Sequence, residues 1–102
     1  MKGVKYDSNK PRFSLLPIDE VWDVVEVLEY GAKKYADNNW KYVALEDESN
    51  NRYYDAALRH LTAWKKGEIL DSESGLSHLS HAICCLLFQS WKDKNINNLD
   101  YK

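Results

Sequence analysis

Four sets of side chains in this sequence have the types and spacing to do chemistry. His78, His81, Cys85 and Gln89 are separated by three, four and four residues, so on a helix they form one narrow polar stripe in an apolar run. Imidazoles aligned in this way either hydrogen-bond across a helix interface or face a ligand, and the spacing leaves both readings open. A zinc site on the stripe would need a third and a fourth ligand, a role that His60 and Asp71 have the chemistry to fill. The second set surrounds His60. Ala56, His60 and Trp64 follow one another by single helical turns, and Arg52 and Arg59 stand two turns apart on the same side. Two guanidiniums in register with a small residue between them form a phosphate clamp, whereas the plainer alternative is ion pairing with Asp55 or the acidic segment before it.

The third set is Lys5-Tyr6-Asp7-Ser8-Asn9-Lys10-Pro11-Arg12, a basic strap ahead of and across a rigid proline that is able to fold over an anion. The fourth is acidic. Cleaving a nucleoside triphosphate on a helical scaffold requires several carboxylates on facing helices to hold Mg²⁺. Glu20, Asp23, Glu26 and Glu29 lie mostly on the face opposite Val21, Val25 and Leu28, the side a helix ordinarily gives to solvent. Glu26 with Glu29 is the one i, i+3 pair placed to hold a metal near Tyr30, and Asp71 with Glu73 the one acidic pair beside the histidines. A cage of four carboxylates is not evident, no metal ligand is assigned outright, and no Gly-rich phosphate loop or nucleophile elbow is present.

These residues need elements to position them, and the pattern of apolar residues predicts helices. Gly and Pro are scarce, and no stretch alternates with period two. Residues 1–16 read as an extended basic arm with turn chemistry at Asp7-Ser8-Asn9. A first helix runs from Pro17 to about Tyr35, with Ile18, Val21, Trp22, Val25, Leu28 and Ala32 at helical spacing, and Asp37-Asn38-Asn39 stops it. Trp40 to Asn51 is polar and acidic and reads as a loop, with Asn50 or Asn51 as the cap of the next helix. That helix spans about Arg52 to Lys66 and stops at Gly67. A capping segment, Asp71-Ser72-Glu73-Ser74-Gly75, leads to a third helix over about Leu76 to Lys92, apolar on nearly every side. Residues 95–102 read as a loosely ordered tail. Two short helices do not cover such a third helix, so the expectation is an all-α single domain of three main helices assembled as a homo-oligomer.

Composition bounds the function. One domain of 102 residues has room for a modest core but not for separate cofactor and substrate domains. A net charge of −2 argues against DNA or RNA as a partner. No apolar run is long enough to span a membrane, and the first residues lack the apolar core of a signal peptide, so a cytoplasmic protein is expected. Cys84 and Cys85 are adjacent, a poor geometry for a disulfide on a helix, and are expected to be reduced. The excess of Trp and Tyr (4 and 7) over Phe (2) points to rings that also touch polar groups, as around a ligand.

Four blocks of sequence, in order, carry a family resemblance. They are Lys10-Pro11-Arg12-Phe13 with Leu15-Leu16-Pro17; Tyr30-Gly31-Ala32-Lys33-Lys34-Tyr35 with Asn39-Trp40; Ala56-Ala57-Leu58-Arg59-His60-Leu61 with Trp64; and Asp71 through Ala82. Together they resemble the small phage proteins of the dATP/dGTP diphosphohydrolase N-terminal domain family, loosely similar to MazG-type pyrophosphohydrolases. The resemblance implies a helical nucleotide-handling protein in the cytoplasm of an infected bacterial host. It places the family's recurrent polar positions on Lys10, Arg12, Lys33, Tyr35, Asn39, Trp40, Arg59, His60, Asp71, Ser74, His78 and His81. The acidic pattern of MazG enzymes, ExxE followed later by ExxD, is met only in its first half, at Glu26 and Glu29.

The expected function is therefore capture of a phosphorylated purine nucleotide, as a sponge for a nucleotide immune signal that serves anti-defence and needs no cofactor. Lys10, Arg12, Arg59 and His60 would meet phosphates and His78 and His81 would act as donors. Trp40 or Trp64 would stack on the base, and Lys33, Asn39 and Ser74 complete the set. The alternative is a Mg²⁺-dependent dATP/dGTP diphosphohydrolase with Glu26, Glu29, Asp71 and Glu73 as ligands. A third reading is a helical adaptor without ligand.

Overall fold

A computed structural model describes residues 2–96 of the chain. The described residues form four α-helices and no strand: α1 (Ile18–Lys34), α2 (Asn39–Glu46), α3 (Arg52–Lys65) and α4 (His78–Ile96), preceded by a 3₁₀ turn over Phe13–Leu15. The fold is all-α, with one helix more than the three expected. The extra one is α2, in the stretch read as a loop. Its acidic end obscured a short helical repeat: Trp40 and Val43 line the inner side of the helix, and Ala44 is completely buried. Residues 97–102, most of the expected tail, lie outside the described residues, while Asn95 and Ile96 continue α4.

Local sequence accounts for the other helix limits. Pro17 stands just before α1, where its missing N–H costs nothing. Gly67, at φ 105°, ends α3: its N–H donates to the Trp64 carbonyl and that of Glu68 to Ala63, the Schellman pattern. At the front of α3 neither expected asparagine caps with its side chain. Asp47 does so from five residues upstream, accepting the Arg52 N–H at 2.9 Å while the Ser49 hydroxyl donates to its other oxygen at 2.7 Å. Ser77 Oγ accepts from Leu79 and Ser80 and starts α4.

The nearly all-apolar α4 is the central helix, in contact with α1, α2 and α3. Val24 and Val27 of α1 meet Cys84 in the buried core, with Leu28, Leu76 and Phe88 around it. Trp40 stacks on Phe88 and Tyr53 meets the same ring edge-on. Lys92 is buried and donates to the Asp47 carbonyl, tying α4 to the α2–α3 connection. Lys2 through Glu20 are all exposed. The radius of gyration is 17.0 Å, where a compact chain of this length has about 13 Å. Phe13, Leu15, Ile18 and Trp22 each leave more than 60% of their surface exposed. No helix among the described residues is long and apolar enough to cross a membrane.

Candidate functional site

A cleft of about 770 Å³ opens between α1, the start of α2, α3 and α4, within the usual range for a small-molecule site. One wall is the α3 stripe Arg52, Ala56 and Arg59. Spaced by four and three residues, they share a face, and the alanine leaves the space between the guanidiniums clear. Neither guanidinium has an ion pair or a side-chain hydrogen bond among the described residues, so pairing with Asp55 or the acidic segment is not what holds them. Lys34, Tyr30 and Tyr35 stand on the α1 side, and Leu28 and Phe88 give the floor an apolar surface. Three cations, Lys34, Arg52 and Arg59, face the cavity against two carboxylates, Glu29 and Asp37. Cys84 and Cys85 are free thiols at its base. Burial pushes them up to about 12 and about 11, so neither is an activated nucleophile.

Residues expected from sequence divide between this cleft and three other places. Glu29, Asn39, Trp40, Arg59 and His81 line it. One face of Trp40 is already covered by Phe88, at 4.4 Å and 14° between planes. Lys10 and Arg12 sit on the exposed arm. Glu26, Lys33 and Trp64 lie outside the cleft, and Lys34 takes the place expected of Lys33 because it falls one turn after Tyr30. Tyr53 was not anticipated as a lining residue. Its position one residue after Arg52 and three before Ala56 is a weak signal, since its packing against Phe88 is what turns it inward.

The remaining candidates gather behind the end of the cleft, where the turn between α3 and α4 folds back on both helices. His60 Nδ1 and His78 Nδ1 are 2.9 Å apart, and His78 Nε2 meets Glu68 Oε2 at 2.8 Å. With His78 donating its Nε2–H to that carboxylate, its Nδ1 is the acceptor for His60 Nδ1–H. His81 lies flat on His60, with centroids 4.5 Å apart. Its Nε2 approaches Ser74 Oγ at 2.7 Å, and Ser74 in turn donates to Asp71 at 3.0 Å. Burial, and then the neighbouring imidazoles, hold His60 below its ordinary range. Burial lowers His81 as well, against the pull of Asp71. Burial pushes the Asp71 carboxyl up, but the Ser74 N–H and hydroxyl outweigh it and the net shift is downward. Glu73 accepts from Lys34 Nζ at 2.6 Å and from the Tyr30 hydroxyl at 2.8 Å, which holds its carboxyl below the usual range.

This arrangement bears on a Mg²⁺ cage. Glu73 is committed to Lys34 and Tyr30, Asp71 to Ser74, and Glu29 alone of the four candidate carboxylates reaches the cleft. Among the described residues no three of Glu26, Glu29, Asp71 and Glu73 bring ligand oxygens together. The donors that do converge are His60, Asp71 and His78, each offering one atom within 4.8 Å of the others.

The family model described as dATP/dGTP diphosphohydrolase, N-terminal, matches residues 1–102. The chain belongs to this family. A relative named dATP/dGTP diphosphohydrolase, from Salmonella phage PMBT28, is 35% identical over 91 residues. The match covers 89% of this chain but 30% of that protein, so the chain spans less than a third of the length of the curated relative it matches. No solved structure matches the chain. For this member of the dATP/dGTP diphosphohydrolase N-terminal family, the helices that wall the cleft all lie within the matched residues.

Proposed function

We propose that this chain binds a phosphorylated purine nucleotide in the cleft and holds it intact, capturing a nucleotide such as an immune signal in the cytoplasm of an infected host. The observation that carries this reading is the Arg52–Ala56–Arg59 stripe, with two guanidiniums lining one cavity and no acid paired to either. Guanidiniums recognise phosphate in a bidentate fashion, and they retain that capacity here. Lys34, paired with Glu73, borders the cleft, the apolar floor at Leu28 and Phe88 suits a base, and His81 offers a ring at the cleft's end. Lys10 and Arg12 join this set when an arm closes over it. Homo-oligomerisation is part of the proposal, because Phe13, Leu15 and Trp22 are apolar surface that a second copy would cover. The ligand is a small nucleotide, with no role for DNA, RNA or a membrane.

The name of the phage relative supports a second reading, cleavage of dATP or dGTP. Among the described residues Glu26, Glu29, Asp71 and Glu73 do not converge on one ion, and capture is therefore placed ahead of it.

One assay separates the readings. The chain is incubated with purine deoxynucleoside triphosphates and with cyclic or ADP-ribose-type nucleotides in the presence of Mg²⁺, and the nucleotide is analysed before and after the protein is denatured. Intact nucleotide released only on denaturation is expected. Turnover to the monophosphate would replace capture by hydrolysis, and no uptake of any nucleotide would leave a ligand-free helical adaptor.

A further inference from the structure

We propose that His60, His78 and Asp71 form a binding site for one divalent transition-metal ion of the zinc type, which clasps the α3–α4 turn to both helices. Three separate elements supply the donors: α3 gives His60, the turn gives Asp71 and the first turn of α4 gives His78. Two imidazole nitrogens and a carboxylate oxygen are a borderline donor set suited to zinc and its neighbours, with a fourth position left for water.

The surroundings match what such ligands need. A metal-bound histidine ordinarily passes its other N–H to a carboxylate, which fixes the tautomer and aims the lone pair inward. His78 has this arrangement: its Nε2 is held by Glu68 at 2.8 Å, and its Nδ1 points at His60 Nδ1. The Asp71 carboxylate is itself held by the Ser74 N–H at 2.9 Å and hydroxyl at 3.0 Å. His60 is oriented by the parallel ring of His81. The two facing nitrogens are 2.9 Å apart. Around a tetrahedral ion with bonds of 2.0–2.1 Å they would stand at about 3.3 Å, so a small rotation of the rings admits the ion. His60 then adopts its other tautomer, with its proton on Nε2, and no net proton is released. His78 is 4% exposed, which shields the site from water on that side. None of His60, His78 and Asp71 lines the cleft, so the three proposed metal ligands are distinct from the residues proposed to hold the nucleotide.

Co²⁺ and Zn²⁺ serve as probes on the tag-free full chain after chelator treatment. One Co²⁺ per chain with the intense visible bands of tetrahedral coordination is expected, displaced by Zn²⁺, and Zn²⁺ is expected to raise Tm. His60→Ala is expected to abolish the bands with helical circular dichroism retained. Glu68→Gln, at an exposed residue that acts through His78, is expected to weaken Co²⁺ binding roughly tenfold. Absence of the bands in the wild-type chain would overturn the proposal. So would bands that persist unchanged in both variants, or a thiolate charge-transfer band that places the ion on Cys84 or Cys85.

Discussion

Trp40 of α2 lies flat on Phe88 of α4, with ring centroids 4.4 Å apart and planes within 14°. Trp91 closes on the same indole edge-on at 5.2 Å. This stack is what converts an acidic, loop-like stretch into a helix, because an eight-residue helix is too short to persist without a tertiary anchor. Trp40→Ala is therefore expected to lose about 2–4 kcal/mol, below the full cost of a buried aromatic because the indole is only half-buried. Trp40→Phe should lose about 1 kcal/mol. Urea unfolding measures both, and equal losses for the two variants would mean that stacking on Phe88, which a phenyl ring retains, is not what anchors α2.

Arg52 and Arg59 make a separate prediction about binding. Replacing either by Ala is expected to weaken nucleotide affinity by about 1.5–3 kcal/mol, roughly 10- to 150-fold in Kd. Lysine at the same positions should restore only part of it, since a point charge does not reproduce a bidentate fork. Calorimetric titration of the variants with the captured nucleotide checks this. An affinity unchanged in both alanine variants would place the ligand elsewhere.

Asp47 sets a pH dependence. Its carboxyl is held below the usual range by the Ser49 hydroxyl first and then by the Arg52 N–H at the start of α3. A depressed carboxylate pKa means the unfolded chain binds the proton more readily. The contribution is present above the unfolded value and is lost as pH falls through the folded one. Asp47→Ala is expected to melt below wild type at about pH 7, with the difference shrinking as the pH falls through the folded value and the wild-type carboxylate takes up its proton. A constant difference in Tm across that range would mean that the capping charge is not the cause.

Much of the scaffold was legible in the chain before folding. The i, i+3, i+4 spacing of Ile18, Val21, Val25 and Leu28, the glycine at 67 and the apolar run after Ser77 mark α1, α3 and α4, because helix period and left-handed stops are local properties. The register of Arg52, Ala56 and Arg59 on one face is equally local, and so was the prospect of a phosphate clamp. Asn51 takes the N-cap position as its local sequence suggests, but its side chain makes no cap bond, and a charged acceptor from Asp47 holds the Arg52 N–H instead.

The amino-acid sequence by itself determined which residues share a helical face, which helix must be central and which family the chain resembles. Only the tertiary structure decided that Trp40 builds a helix, that Lys34 rather than Lys33 faces the cleft, and that His60, His78 and Asp71 meet behind it. Those facts depend on separations of 18 to 48 residues along the chain, as between His60 and His78 or Trp40 and Phe88. Helical periodicity carries no information across such distances. It fixes the direction of a side chain on its own helix, whereas the partner it meets is set by how the helices pack.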